Sequence, residues 1–334
     1  MPSNTRLKLG IVVGDDGPQF LYPVLDLLRK YFEVSVFTER RLDFPYLGRR
    51  INPILLKRDL ARFLRSIDVA YFEWGTRLLS EATQLPKSCP IIVKLHGYDI
   101  FRWHVAIDWA NVDLAIVNLQ SIARQFLNIV PAMAGRVVAI PVGIDLKRFY
   151  PDPLAYGRTI GLLGALNPRK RVYEVILAVA ELMRRGMYFH LRIGGDFATG
   201  QESYYLMLHS LPQRLGIADQ VSFDGQVNDP SAWFGSIDVF ISNSFYETQH
   251  LALQEAMACE RYCIGHCWEG IEEILPQDLI YQTPAELIEQ LEGYAALEEE
   301  VIRDRTRALR KIVEEQFSIA CTASKLVKVI ENLA

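Results

Sequence analysis

The chain has 334 residues, of which 50% are hydrophobic, and its formal net charge at pH 7 is −4. This length predicts about two domains of ~100–200 residues each, and the slightly acidic balance argues against a nucleic acid as the main partner. No apolar run reaches the ~18 residues of a membrane-spanning helix, and the run before Gly14 is too short for a secretory signal. We therefore expect a soluble, cytoplasmic chain.

The first half of the chain alternates short apolar runs with helix-like segments. Strands are predicted at 7–14, 33–39, 68–74, 91–97, 113–118 and 136–143. The segment 23–31 is typical of an amphipathic helix. Continuous apolar runs separated by helices indicate parallel strands that are buried on both faces. Residues 1–150 are therefore predicted to form a doubly wound α/β domain.

A second series of the same kind follows a proline-containing segment, 143–157. Strands are predicted at 158–166, 189–196, 220–227, 238–244 and 261–265, and helices at 172–186 and 203–216. Residues 151–318 are therefore predicted to be a second Rossmann-like domain. A last helix, 319–334, has no strand after it.

The predicted fold class is α/β, with two Rossmann-like doubly wound parallel sheets that face each other across a cleft. In open sheets of this type, ligands bind beyond the carboxyl ends of the strands. We expect the cleft to be lined by the loops at 14–18, 96–99, 164–171 and 244–250.

Three of the five cysteines are evenly spaced, at Cys259, Cys263 and Cys267, with His266 beside the last. The spacing matches no C-x-x-C or iron–sulfur pattern. A helix that ends at Cys259 and a strand through Cys263 would send the two side chains apart. Small buried thiols in a reducing compartment are therefore predicted rather than a metal site.

The segment 243–259 contains two glutamates in different settings. Glu247 follows an apolar strand-like run, in a polar loop. Glu255 is the only charge in a helix that is predicted from about Leu251 to Cys259. Its apolar side is formed by Leu253, Ala256 and Met257. A buried carboxylate is costly without a partner, so Glu255 is expected either to meet a ligand or to pair locally.

Four motifs occur in order along the chain. They are His96-Gly97-Tyr98-Asp99, Pro141-Val142-Gly143-Ile144-Asp145, Gly164 to Lys170, and Glu247-x7-Glu255 with Ala256-Met257-Ala258-Cys259 behind it. Together they resemble the retaining glycosyltransferases of family 4, which have the GT-B fold. The resemblance spans both domains. It implies that the second domain holds a nucleoside diphosphate sugar, that the first supplies most of the acceptor site, and that helix 319–334 completes the first domain.

The resemblance also implies a role for each glutamate. Glu255 corresponds to a residue that accepts hydrogen bonds from the ribose hydroxyls of the nucleotide. Glu247 corresponds to a residue that contacts the transferred sugar and can stabilise positive charge at the anomeric carbon. From the residues alone, Glu255 could instead be a structural carboxylate and Glu247 a solvated loop residue.

For the diphosphate, the resemblance implies cationic side chains and backbone amides. Lys170 matches the family's phosphate-binding lysine, and Gly164 begins the same loop. The family's arginine is replaced by Ala165, so Arg169 or Arg171 is expected to supply the missing charge. The helix start at His250–Leu251 offers amides to the phosphate.

In the first domain, the resemblance places His96 beside the donor sugar and the reaction centre. Asp99 is expected either to face the acceptor or to cap the next helix. Gly14 lies in a glycine-containing loop that corresponds to one near the sugar phosphate. This loop is not Gly-x-Gly-x-x-Gly, which argues against a dinucleotide oxidoreductase.

The expected partners are a nucleotide sugar and a glycan, glycolipid or small-molecule acceptor. No metal or other cofactor is expected, because the chain contains no Asp-x-Asp motif. The segment 54–66 has an apolar face opposite three arginines. It is expected to be a domain helix with a solvated basic side, and a weak peripheral contact with anionic lipid is the alternative.

The predicted function is therefore that of a retaining, metal-independent glycosyltransferase in glycan or glycolipid biosynthesis. Two alternatives stay open. The first is a nucleotide-sugar epimerase or hydrolase on the same fold. The second is a catalytically inactive subunit that only binds a nucleotide sugar, which Ala165 and the replaced loop glycines at 248–250 make conceivable.

Overall fold

The chain is described by a computed structural model that covers residues 6–14, 21–43, 47–151, 156–197 and 199–334. It consists of two compact units. Unit 1 comprises the residues up to Gly143 together with Ile319–Ala334, and unit 2 is Ile144–Ser318. The boundary lies after Gly143, whereas the sequence placed it after residue 150, because Ile144 already pairs with Ser318 inside unit 2.

Unit 1 is built on a sheet of six parallel strands, in the order β2-β1-β3-β4-β5-β6. The strands are β1 Lys8–Val13, β2 Glu33–Phe37, β3 Val69–Glu73, β4 Ile91–Lys94, β5 Leu114–Val117 and β6 Val137–Ala139. The helices are α1 Tyr22–Tyr31, α2 Leu47–Leu64, α3 Arg77–Thr83, α4 Tyr98–Trp103, α5 Gln120–Ile129 and, from the end of the chain, α12 Ile319–Glu331.

The C-terminal helix α12 is part of the core of unit 1. Its Leu326, Val327 and Ile330 are buried in one cluster with Leu9 of β1 and Leu28 of α1. Thr322 also donates a hydrogen bond to the carbonyl of Pro141, at 3.1 Å. The helices α12 and α1 therefore pack side by side on the same face of the sheet.

Unit 2 repeats the plan with a second sheet of six parallel strands, in the order β12-β11-β10-β7-β8-β9. The strands are β7 Thr159–Leu163, β8 His190–Gly194, β9 Val221–Gly225, β10 Val239–Ser242, β11 Tyr262–His266 and β12 Ile280–Tyr281. The helices are α6 Val172–Arg184, α7 Glu202–Leu215, α8 Pro230–Phe234, α9 Leu251–Ala258, α10 Pro284–Ala295 and α11 Glu299–Ile312, with a π-helical turn at Val313–Phe317.

The predicted α/β class with two Rossmann-like parallel sheets is confirmed, and each of the eleven predicted strands is present. One strand is much shorter than predicted: the segment 136–143 is extended only over Val137–Ala139. Pro141 lacks the backbone N–H that a longer strand would need. The short edge strand β12 was not predicted, because two residues are too few to give a periodic signal.

The strand orders locate the binding edge of each sheet. The direction in which successive strands are added to the sheet reverses between β1 and β3 in unit 1 and between β7 and β10 in unit 2. Loops that leave two such strands diverge to opposite sides of the sheet and open a crevice at their carboxyl ends. The segments after β7 and β10, which hold the predicted Lys170 and Glu247, therefore flank the crevice of unit 2.

Among the described residues, no helix is both long and apolar enough to cross a membrane. The predicted amphipathic segment 54–66 lies largely in α2, with Leu56, Leu60 and Leu64 buried as expected. Two of its arginines, Arg58 and Arg62, approach Asp59. Contact of this surface with lipid stays a prediction.

A glycine at the end of β8 gives a direct test of how closely the strand ends approach each other. Gly195 has φ +116°, and a Cβ atom there would lie 2.0 Å from the carbonyl oxygen of Gly164. We expect Gly195→Ala to lower the free energy of unfolding by more than ~3 kcal/mol, because both the backbone and the contact are strained.

The matched control is Gly186→Ala. Gly186 also has a positive φ, +78°, but nothing lies within 4 Å of its added Cβ. This variant should cost only the ~1–2 kcal/mol of the left-handed backbone. Urea unfolding measures both values, and equal losses would show that no close approach exists at Gly195.

Candidate functional site

The carboxylate of Glu247, in the loop between β10 and α9, is the hub of a group of polar side chains in unit 2. Lys170 Nζ lies 2.7 Å from its Oε1, and Ser244 Oγ donates to the same oxygen at 2.7 Å. Arg169 donates to Oε2 at 3.0 Å. Glu247 is only 6% exposed. The loops after β7 and β10 therefore meet at one buried ion-pair cluster.

The backbone holds these two loops together. Arg169 and Lys170 lie in a short 3-10 turn, Pro168–Lys170, and the N–H of Phe245 donates to the carbonyl of Arg169 at 2.8 Å. Gly164 has φ +147°, and a Cβ there would lie 3.3 Å from Cε of Lys170. A side chain at Gly164 would therefore crowd the lysine, which gives a physical reason for the predicted glycine.

His250 extends the cluster into the core. Its Nε2 lies 3.2 Å from Lys170 Nζ, and its Nδ1 lies 2.6 Å from Ser242 Oγ. An ammonium group can only donate, so Nε2 accepts and the ring proton is on Nδ1, facing Ser242. Trp268 Nε1 donates to the same hydroxyl at 3.2 Å. The imidazole therefore holds the lysine as a neutral acceptor.

The electrostatics agree with this assignment. Burial raises the pKa of Glu247, but the nearby charges of Lys170 and Arg169 outweigh burial and hold that pKa at about 2. Burial, and then the charge of Lys170, lower the pKa of His250 to about 3. Burial also lowers the pKa of Lys170, against the attraction of Glu247. At neutral pH the cluster therefore contains an ionised carboxylate and a neutral histidine.

Of the two arginines that could supply the charge missing at Ala165, only Arg169 reaches the Glu247 cluster. Arg169 reaches Glu247 and also donates to the carbonyl of Tyr246 at 2.8 Å. Arg171 turns away, because its backbone is left-handed, with φ +49°. Its side chain pairs with Glu174 and contacts His266. Arg169 is therefore the arginine that adds positive charge beside Lys170.

Glu255 lies apart from this cluster, one turn along α9 from Leu251. The helix begins at Leu251 with His250 as its N-cap, and Leu253, Ala256 and Met257 are fully buried, as predicted. The carboxylate of Glu255 makes no hydrogen bond or ion pair within the described ranges, although its backbone carbonyl accepts from Cys259. Burial raises its pKa to about 7, and the charge of Arg148 offsets only part of this effect. It is a carboxylate without a local partner.

In unit 1, His96 follows β4 and is tied to β3. Its Nε2 lies 2.7 Å from Glu73 Oε1, and both side chains are almost completely buried. The ring of Trp74 lies against the imidazole, with 4.1 Å between ring centroids. Trp74 has φ +84°, an uncommon conformation for a bulky residue. The end of β3 therefore fixes the position of the predicted histidine.

Asp99 lies in the first turn of α4, whose N-cap is Gly97, and its part in an acceptor site stays a prediction. It is 1% exposed, and its carboxylate accepts hydrogen bonds from the backbone N–H groups of Gly75, His96 and Gly97, at 2.8–3.2 Å. It ties together the segments after β3 and β4. Gly14 directly follows β1, while the remaining residues of its loop, 15–18, lie outside the described ranges.

Several polar residues of these clusters were missed from the sequence. They are Glu73, Lys94, Ser242, Ser244 and Trp268. A charge at the last position of an apolar strand was available as a signal for Glu73 and Lys94. The two serines and the tryptophan carry no such signal, because their residue types are common in ordinary cores and loops.

The described residues contain no group of three or more His, Cys, Asp or Glu side chains placed to hold a metal ion. Cys259 is the C-cap of α9, and Cys263 is buried in β11, so both are buried thiols as predicted. The prediction is wrong for Cys267, which is exposed because it follows the end of β11.

The sequence of unit 2 matches a known family over most of its length. Residues 157–296 match the family model "Glycosyl transferases group 1". These residues include β7 to β12, with Gly164, Lys170, Glu247 and Glu255.

Curated relatives are inositol-phosphate glycosyltransferases that match over part of the chain. The D-inositol 3-phosphate glycosyltransferase 2 of Catenulispora acidiphila is 31% identical over 164 residues, which cover 44% of this chain and 38% of that protein. The D-inositol 3-phosphate glycosyltransferase of Mycobacterium ulcerans is 30% identical, over 44% of this chain and 34% of its own length. The matches therefore span well under half of these relatives.

Solved structures share the fold over almost the whole chain. Anabaena Alr3699/HepE in complex with UDP has a TM-score of 0.80 at 18% identity and covers 98% of this chain and 100% of its own. Sucrose-phosphate synthase of Thermosynechococcus elongatus has a TM-score of 0.76 at 17% identity, with 98% and 99% covered. The fold is therefore of the GT-B type, with two Rossmann-like domains.

The unpartnered Glu255 has a consequence for stability. Its folded pKa is about 7 and its ordinary value is 4.5, so the stability that the neutral carboxyl contributes is fully present below pH ~4.5 and is lost progressively as the pH rises to about 7. At pH 8 we expect Glu255→Gln to raise the free energy of unfolding by roughly 1–3 kcal/mol, and therefore to unfold at a higher temperature than the parent protein. At pH 5 the difference should be smaller.

Thermal unfolding at the two pH values, without ligand, measures this difference. The control is Glu289→Gln, which replaces a carboxylate elsewhere in unit 2. A gain for Glu255→Gln that is the same at both pH values would contradict a raised pKa of Glu255.

Proposed function

We propose that this chain is a retaining glycosyltransferase that moves a sugar from a nucleoside diphosphate sugar to an acceptor hydroxyl. The nucleotide sugar binds at the crevice of unit 2, along Lys170, Arg169 and the start of α9. Unit 1 supplies the acceptor site. The match of residues 157–296 to group 1 glycosyl transferases supports this proposal.

The observation that carries it is the bonding of Lys170. Its ammonium group has three N–H donors, one of which meets Glu247 and another His250. The third has no acceptor among the described residues. The lysine is held at the mouth of the crevice, beside the half-exposed Arg169, whose NH1 meets Glu247. Two cations with one carboxylate leave net positive charge where a diphosphate would lie.

The start of α9 adds to this potential. His250 is its N-cap, and no side chain caps the first turn. Leu253 already donates its N–H to the carbonyl of His250, but the N–H groups of Leu251 and Ala252 have no acceptor among the described residues and are suited to a phosphate oxygen. Glu255 lies one turn further along the same helix face as Leu251. A ribose there would place two hydroxyl donors at a carboxylate that has no other partner.

The proposed chemistry uses the leaving group as the base. The acceptor oxygen attacks the anomeric carbon from the face that the diphosphate leaves, forming the new C–O bond as the old one breaks. The bonding electrons stay on the departing phosphate oxygen, which takes the acceptor's proton. Lys170 and Arg169 stabilise the charge that develops on this oxygen. Glu247 and His96 are proposed to contact the transferred sugar.

We further propose that the donor is a UDP-sugar and that no divalent metal takes part. HepE has been solved with UDP and with UDP-glucose, on the same fold. The cations of the crevice supply the charge that Mg²⁺ would otherwise provide. The acceptor is proposed to be a glycan, a glycolipid or a small polyol such as an inositol phosphate, the substrate class in the names of the curated relatives.

The function is tested with radiolabelled UDP-glucose and a panel of acceptors that includes inositol phosphate and sugar phosphates, in the presence of excess EDTA. We expect label to move to an acceptor, and UDP to be released no faster than product forms. Release of free glucose without any acceptor product would favour a hydrolase. Activity that EDTA abolishes and Mg²⁺ restores would contradict metal independence.

A pair of substitutions distinguishes the residue that is proposed to bind the diphosphate from the residue that is proposed to contact the sugar. Lys170→Met is expected to weaken UDP binding by at least tenfold, because a charge-assisted hydrogen bond contributes ~1.5–3 kcal/mol. Glu247→Gln should leave UDP affinity within about threefold and lower transfer, since Glu247 is proposed to face the sugar. Calorimetric titration with UDP measures both.

The matched control is Lys311→Met, which removes an exposed lysine of α11. Each variant must keep its cooperative thermal unfolding. If Glu247→Gln loses as much UDP affinity as Lys170→Met, the division of roles is wrong.

A further inference from the structure

A second pair of buried charges lies in unit 1, on neighbouring strands. Glu73 ends β3 and Lys94 ends β4, and the two are register partners in the parallel sheet. Partners in register project from the same face. Glu73 is 2% exposed and Lys94 4%. The structure thus places an acid and a base side by side, away from water.

Among the described residues, only one of the two carboxylate oxygens of Glu73 has a hydrogen-bond partner. Oε1 pairs with His96 Nε2 at 2.7 Å. The buried phenol of Tyr71 lies against the same carboxylate, and burial together with the charge of Glu73 raises the pKa of Tyr71 well above its ordinary value. Oε2 is nevertheless buried without a hydrogen-bond partner among the described residues. An unsatisfied buried carboxylate oxygen is costly, so a further donor is expected there.

The ammonium group of Lys94 also has a hydrogen-bond donor without an acceptor among the described residues. It donates to the backbone carbonyls of Ile140 and Val117. Its third N–H meets no acceptor within the described ranges. Burial lowers the pKa of Lys94 to about 7, and the attraction of Glu73 and Asp99 offsets only part of this effect. One donor and one acceptor therefore remain open on adjacent side chains.

Both side chains line the same cavity, whose volume is about 20 Å³. Its other walls include His96 and Thr322 as well as aliphatic side chains of α1 and α12. A water-sized oxygen needs ~10–15 Å³ of such space. The cavity therefore has room for one oxygen atom and for little more.

We propose that this cavity is a binding site for one hydroxyl-bearing oxygen, which donates to Glu73 Oε2 and accepts from Lys94 Nζ. An O–H group can donate and accept at once, whereas a carboxylate only accepts and an ammonium only donates. Lys94 repels a metal ion and Glu73 repels an anion, so a neutral O–H group fits best. It is either a buried water or an alcohol group of the acceptor.

The identification of an acceptor alcohol rests on the proposed function, but the site itself does not. If the occupant is an alcohol, the site aligns the acceptor beside His96, which Glu73 holds through its other oxygen. If the occupant is water, the site fixes the Glu73–His96 pair through Lys94.

The test is a crystal structure of the ligand-free protein at a resolution that shows ordered water, followed by soaks of the same crystals in glycerol and in glucose. We expect an oxygen within about 2.6–3.2 Å of both Glu73 Oε2 and Lys94 Nζ. An oxygen that persists unchanged through the soaks identifies water, and its replacement by a sugar or glycerol hydroxyl identifies the alcohol site.

A direct contact between Glu73 Oε2 and Lys94 Nζ, with no oxygen between them, would overturn the proposal. Lys94→Met keeps the chain length but removes the donors, and its crystal should lack the oxygen. An oxygen that keeps its position in Lys94→Met would show that Lys94 does not hold it. Neither result depends on transfer activity, so failure of the proposed function would be recognised separately.

Discussion

A buried carboxylate is costly unless it is neutralised where it lies, and Glu247 is such a group at the carboxyl edge of the sheet in unit 2. Its partners come from a second loop, the one that follows β7, with Lys170 at 2.7 Å and Arg169 at 3.0 Å. The ion pair therefore binds together the two loops that diverge at the strand-order reversal. Breaking it would leave an uncompensated buried charge, which costs ~3–5 kcal/mol in comparable cases.

This constraint also orders the surrounding residues. His250 can hold Lys170 only as a neutral ring, and Ser242 and Trp268 keep it in that tautomer. Gly164 leaves the space that the lysine occupies. The crevice is therefore built before any ligand arrives, which lowers the entropic cost of binding. By contrast, the carboxylate of Glu255 has no hydrogen-bond or ion-pair partner in the part of the chain that the structure describes, and burial raises its pKa.

Much of this could be predicted from the sequence. The eleven longer strands gave clear apolar runs, and Glu255 stood out as a lone charge on an apolar helix. Lys170 and Glu247 were found through motif spacing. That they contact one another could not be predicted, because it depends on the loop path through Pro168–Lys170. For the same reason, the sequence could not predict that Arg169 rather than Arg171 joins the cluster: a left-handed backbone at Arg171 turns that side chain away.

Unit 1 shows a different limit of sequence reasoning. Glu73 and Lys94 each end an apolar strand, yet only the register of β3 and β4 reveals that they are neighbours. Similarly, the sequence could not predict which backbone N–H groups the carboxylate of Asp99 binds. Polar residues at strand ends are thus identifiable from the sequence, but their partners are set by topology.

The Lys170 cluster is proposed to be a diphosphate site, and a crystal structure of the protein with UDP bound tests this most directly. We expect the β-phosphate to lie within hydrogen-bond distance of Lys170 Nζ and the first turn of α9, with the ribose at Glu255. A diphosphate bound elsewhere, with Lys170 still held only by Glu247 and His250, would contradict this proposal.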